Sequence, residues 1–126
     1  MLQSESSEEK KAVRWAKIHY IIPLKLNLRG NVGWPDRLFV YPEGGTLWVE
    51  FKRKGKEADP IQKYRITQLR KKGHHAFVVD SAADAIALME AKAVHEAGRE
   101  VRSVTGLRWL PFRPRIGENF NRLNDF

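Results

Sequence analysis

Cysteine is absent from the 126 residues, which removes disulfide frameworks, cysteine-ligated zinc and thiol nucleophiles together. No apolar run approaches the ~20 residues of a membrane-spanning helix. The opening MLQSESSEEKK has neither the basic nor the apolar part of a secretory signal. The expectation is a cytoplasmic protein with no membrane partner. Four histidines occur, none in an H-E-x-x-H pattern, so a zincin-type metal helix is excluded as well. There is no internal repeat and no low-complexity tract, and the length suits one domain with a single core.

Positive charge is what the chain has in excess. Lys and Arg number 23 against 15 Asp and Glu, a net +8, and such a surplus favours a polyanionic partner such as nucleic acid. Hydrophobic residues at 42% can build a globular interior, and charged residues at 30% clothe it.

Periodicity organises the chain into seven elements. Residues 1–7 are polar and are expected to be flexible. From Ser7, the positions Glu9, Ala12, Val13, Ala16 and Tyr20 recur on one helical face, which puts an acid on the inward stripe. Pro23 is expected to end that helix, with LKLNL as a first strand and RGNVG as a turn. DRLFVY, PEGG and TLWVEFK read as a β-hairpin. Asp59 and Pro60 open a helix running to Gly73. HHAFVVD is a buried strand, and Ser81 with Asp84 starts a last helix that Gly98 is expected to close. Two prolines in LRWLPFRPRIGENF predict an ordered but irregular extension beyond it. A mixed sheet of four strands flanked by helices is the economical packing.

The stretch WVEFKRKG carries the chemistry. Strand side chains alternate between faces, so Trp48, Glu50 and Lys52 share one face, and Leu47, Val49 and Phe51 the other. Antiparallel pairing in the hairpin brings Asp36, at the mouth of the second strand, beside Glu50 and Lys52. Two carboxylates can hold a hard divalent cation, and magnesium is usually bound by one or two carboxylates plus substrate phosphate. A neighbouring lysine then stabilises charge in a phosphoryl transition state. The competing reading is a solvated ion pair at a strand end, worth only ~0–1 kcal/mol.

The run GWPDRLFVYPEGGTLWVEFKRKGKEADPIQ resembles the PD-(D/E)XK nuclease superfamily, and within it the virus-type replication-repair nuclease (VRR-Nuc) domain. Pro35-Asp36 matches the family's PD and Glu50-Phe51-Lys52 its ExK; Gly33 and Pro60-Ile61-Gln62 also fit. The resemblance covers about residues 8–90. It implies a restriction-endonuclease-like α-β-β-β-α-β core in the α/β class, Mg2+ or Mn2+ as cofactor, Asp36 and Glu50 as metal ligands, and Lys52 as the catalytic lysine. Gln62 matches a supporting glutamine, although Asp59-x-x-Gln62 also has the form of a capping box. Glu9 matches an acid on the family's first helix; Glu8 could take that place, and either acid could simply favour the helix dipole.

Around these residues, Arg29, Arg53, Lys54 and Lys56 are candidate DNA phosphate contacts or else solvated charges. His74 and His75 read as loop residues, and Trp34 and Trp48 as packing residues, with Trp48 the better candidate for base stacking. The organisation expected is a flexible 1–7, a nuclease domain over 8–97, and a C-terminal extension over 98–126 that packs on the domain or on a dimer partner. The function expected is a metal-dependent DNA endonuclease acting as a homodimer; the resemblance alone implies branched DNA such as four-way junctions as its substrate, and the family's name suggests a phage or prophage origin. The alternative is a non-catalytic basic module that binds nucleic acid.

Overall fold

The computed structural model describes residues 5–30, 32–105 and 112–126, and for 98–105 the backbone alone. Its elements in chain order are α1 (Ser7–Ile18), β1 (Ile22–Lys25), β2 (Arg37–Val40), β3 (Thr46–Phe51), α2 (Pro60–Lys71), β4 (Ala76–Val79), α3 (Ala82–Thr105) and α4 (Glu118–Leu123). The strands form one sheet in the order β1-β2-β3-β4. β1, β2 and β3 pair antiparallel, while β4 lies parallel to β3 and is reached through α2. The mixed four-stranded sheet and the α-β-β-β-α-β order are those of a restriction-endonuclease-like fold.

Both faces of the sheet are covered. On one, Phe39, Leu47, Val49 and Val79 pack with Ala12 and Ala16 of α1 and Ala85, Leu88 and Met89 of α3. On the other, Ala76 and Val78 meet Ile66 and Leu69 of α2, with Trp34 and Trp48 packed against them. The two tryptophans therefore serve as packing residues. Alternation along β3 dictates this arrangement, since Leu47 and Val49 are buried among α1 and α3 and the intervening Trp48 faces α2.

Three boundaries differ from the sequence expectation. α1 ends at Ile18, ahead of Pro23, in a Schellman motif: Tyr20 adopts φ 61°, its N–H donates to Lys17 O, and Ile21 N–H donates to Ala16 O at 2.9 Å. Ile21 is buried beside that turn, the apolar contact that usually completes the motif. Pro23 then lies inside β1, at the edge of the sheet, where a missing N–H breaks no ladder. α3 runs through Gly98 to Thr105, because one glycine inside a long helix costs only about 1 kcal/mol relative to alanine.

The third difference is α4, six helical residues within the extension read as irregular. So short a helix is not stable alone, and burial holds it. Phe120 is 2% exposed and joins the α1/α3 core, while Leu123 is 1% exposed and joins the α2 core. The Asn124 amide accepts from Val78 N–H at 2.7 Å and donates to Val78 O at 2.9 Å, standing in for a fifth strand at the open edge of β4. Phe112 and Phe120, apolar residues of the extension expected to pack on the domain or on a dimer partner, are thus packed within their own chain. Leu107, Trp109 and Leu110 lie outside the described residues.

Candidate active site

The site is assembled where β2 begins and β3 ends. Arg37 pairs with Val49, so one further step of the same register sets Asp36 opposite Glu50, on the face that looks toward α2. Gly33 lets the preceding loop lie on the first turn of α2. Its φ is +89°, and a Cβ there would come within 2.7 Å of Ile61 Cγ1 and 2.9 Å of the Ile61 carbonyl oxygen, contacts that only glycine avoids. Pro35 is fully buried behind it, which fixes where Asp36 emerges.

Gln62 unites the two readings open to it. Its Oε1 accepts from Asp59 N–H at 2.9 Å, the helix-capping role, and from Lys52 Nζ at 3.1 Å. Its Nε2 donates to Glu50 Oε1 at 3.3 Å. One side chain anchored at the N-terminus of α2 therefore spaces the Lys52 ammonium from the Glu50 carboxylate. An aliphatic replacement would release both.

The electrostatics are strained. Glu50 is 7% exposed, and burial, reinforced by the Asp36 charge and opposed by Lys52, pushes its carboxyl up to about 8. Asp36 is also raised, by burial first and by Glu9, with Lys25 pulling the other way. Asp36 Oδ1 is buried and makes no hydrogen bond. No group of three or more His, Cys, Asp or Glu among the described residues is arranged to hold a metal ion. The donor set is two carboxylates, one with an orphaned buried oxygen, and both are destabilised by their own charge. That set fits a hard divalent cation whose remaining ligands are water and substrate phosphate.

A second tier lies on the α1 side. Glu9, 6% exposed, accepts from Arg37 Nε at 2.7 Å and from Lys25 Nζ at 3.1 Å, and Lys25 reaches on to Asp36 at 3.7 Å. Arg37 also pairs with Glu5. Of the two candidate acids on this helix, Glu9 is the one turned toward Asp36. Glu8 instead accepts from Ala82 N–H at 3.3 Å at the start of α3, and that bond, with Lys11, draws its carboxyl below the ordinary value.

Sequence reasoning missed Lys25 and Arg37. The strand pairing Lys25↔Arg37 is what brings them under Glu9. The one local signal was Arg37 itself, a cation immediately after Pro35-Asp36.

Arg53, Lys54 and Lys56 lie exposed on the loop from β3 to α2, directly after Lys52, and Lys54 is close enough to Glu8 to influence it. Arg29 lies exposed in the β1–β2 connection and has an interaction of its own. His75 is away from this site, 4.5 Å from Phe112 between ring centroids. His74 is exposed beside it. No helix among the described residues is long and apolar enough to cross a membrane.

No protein-family model matches the chain, and none of the curated proteins is similar to it. Among solved structures, one described as a VRR_NUC domain superposes with a TM-score of 0.60 at 32% sequence identity, covering 64% of this chain and 88% of that one. A likeness of that identity, spanning nearly all of the known domain and sharing its fold, means that the chain belongs to the VRR-Nuc family, within the PD-(D/E)XK nuclease superfamily.

Proposed function

We propose that this protein is a metal-dependent DNA endonuclease that hydrolyses phosphodiester bonds, with branched DNA such as a four-way junction as its preferred substrate. The observation that carries the reading is the pairing of Asp36 with Glu50 across β2 and β3, both raised by burial, next to a lysine held by Gln62. Two acids stacked this way destabilise the metal-free protein, which a merely structural ion pair would have no reason to do.

Asp36 and Glu50 would hold Mg2+ or Mn2+. The bound ion would supply Lewis acidity, polarising the phosphodiester and lowering the pKa of the attacking water. Lys52 keeps a positive charge within reach of the phosphate oxygens, where negative charge builds as the phosphorus becomes five-coordinate. Gln62 fixes that ammonium and, through its amide, the orientation of Glu50. Glu9 acts as a positioning residue, holding Lys25 where it offsets the Asp36 charge. Arg29, Arg53, Lys54 and Lys56 are proposed phosphate contacts around the mouth.

Backbone and shape, rather than base sequence, are the features read, since no helix-turn-helix occurs among the described residues and the chain has no cysteine for a zinc finger. Among the described residues one chain carries one such site, and resolving a symmetric junction takes two nicks. A two-fold homodimer supplies both.

The test is cleavage of a panel of duplex, flap and four-way junction substrates in magnesium, manganese and chelator. Metal-dependent cutting with a preference for a branched member is expected. DNA binding without cutting in either metal would favour the non-catalytic module instead.

A further inference from the structure

The C-terminal residues form more than a cover for the edge of β4. A groove opens between the end of α2, the start of β4 and residues 112–126, and its charged lining is Arg70, His74, Arg113, Arg115, Arg122 and Asp125. Four arginines thus face one acidic side chain. Arg70 belongs to the wall: it donates to Ala76 O at 2.9 Å and to the Asn124 side chain at 3.1 Å, and it lies 4.6 Å from the Phe126 ring centroid.

The others point outward. Residues 112–116 belong to no helix or strand, and along them Phe112, Pro114 and Ile116 are half-buried with Arg113 and Arg115 exposed between them. This is the alternation of a strand-like segment that presents both guanidinium groups on one side. Neither makes an ion pair or hydrogen bond with any other described residue. Arg122 is held by Asn119 Oδ1 at 2.8 Å, which leaves its remaining donors to the groove.

We infer that this groove is a second DNA-binding face, taking the phosphate backbone of a duplex arm whose scissile bond lies in the Asp36–Glu50 site. The inference rests on the nuclease reading, because its ligand is that enzyme's substrate. The two places are at opposite ends of α2: Gln62 stands in its first turn, and the groove begins where it ends, at Arg70 and Gly73. Twelve helical residues span ~18 Å, or about five base pairs at ~3.4 Å each. A single duplex arm can therefore engage both. Guanidinium groups suit this task, since they pair with phosphate in bidentate fashion, and a site that fixes an arm by its backbone positions a branch without reading sequence.

The experiment compares the full chain with the double variant Arg113→Ala/Arg115→Ala. Affinity for duplex and junction DNA is measured by fluorescence anisotropy in calcium over a salt series. Lys10→Ala/Lys17→Ala, an equal loss of charge on the exposed face of α1, is the control. Loss of two phosphate contacts predicts binding weaker by roughly tenfold or more at 0.1 M salt, and a log–log salt slope shallower by about 2. The control pair should stay within about twofold of wild type. Melting temperatures of both variants should match wild type, because all four side chains are exposed and neither arginine holds an ion pair or hydrogen bond to another described residue.

A wild-type slope in the arginine variant, with wild-type binding intact, would overturn the inference and leave the nuclease reading standing. Equal losses in the two variants would reduce the groove to general charge and also overturn it. No DNA binding by wild type at any salt would remove both readings. Tight arginine-dependent capture of polyglutamate, with DNA affinity untouched, would reassign the groove to an acidic protein partner.

Discussion

Replacing Glu50 with glutamine removes one charge and almost no volume, and its consequence for stability runs opposite to its consequence for activity. The Glu50 carboxyl sits at about 8 in the folded protein against an ordinary 4.5, through burial and then the Asp36 charge. Below about pH 4.5 it is protonated in folded and unfolded chains alike and contributes nothing. Between about 4.5 and 8 the unfolded chain is ionised while the folded one keeps its proton, so stability falls as pH rises. Above about 8 the loss is complete. The full difference corresponds to an upper bound of about 5 kcal/mol, and local relaxation and water entry reduce it to on the order of 1–3 kcal/mol. Glu50→Gln should therefore raise the melting temperature of the metal-free protein at pH 9 by at least about 3 °C, with the gain vanishing near pH 4.5. It should abolish cleavage at every pH. Magnesium should narrow the gap by stabilising the wild type selectively. The assay is thermal unfolding followed by circular dichroism in chelator across that pH range. A variant no more stable than wild type at pH 9 would refute the picture of two acids held together against their own repulsion.

Two other outcomes follow from the same geometry. Arg37→Ala strips a buried carboxylate of its closest partner, Glu9 being held at 2.7 Å, and should destabilise the protein by about 3–5 kcal/mol in chemical denaturation; Arg37→Ala/Glu9→Gln should recover part of the loss, and an additive double variant would argue against the pair. For the proposed homodimer, light scattering of the full chain over a dilution series should give twice the monomer mass at micromolar concentration, and a monomer there would remove the two-fold arrangement. Truncation after Gly106 is unsuited to that question, because it deletes the fully buried Phe120 and Leu123.

How far the sequence could be read depended on the range of the interaction involved. Alternation in TLWVEF, the glycines of PEGG and the Asp-Pro start of α2 are local signals, and each appears in the structure at its expected place. The convergence of Asp36 on Glu50 was legible because a hairpin fixes cross-strand neighbours from turn length alone. Gln62 was ambiguous for a good reason, as it caps α2 and contacts the site with the same oxygen.

What escaped was set by tertiary context. The left-handed Tyr20 has no glycine or asparagine to announce it, and burial of Ile21 selects that turn. Gly98 resembles a helix end by composition, yet α3 continues through it. α4 forms because Phe120 and Leu123 reach two different cores, one on each side of the edge strand. The Lys25–Glu9–Arg37 tier joins three elements far apart in the chain, and no spacing rule connects them.

The most direct test of the catalytic assignment is the single-turnover cleavage rate of one branched substrate in magnesium by wild type, Asp36→Ala, Glu50→Ala and Lys52→Ala, with binding of the same substrate measured in calcium. Each substitution is expected to lower the rate by roughly 100-fold or more, as loss of a group acting on transition-state charge does. Affinity should stay within about tenfold of wild type, because backbone contacts elsewhere carry the binding. A near-wild-type rate in any one of the three would contradict that residue's role, and near-wild-type rates in all three would contradict the site itself.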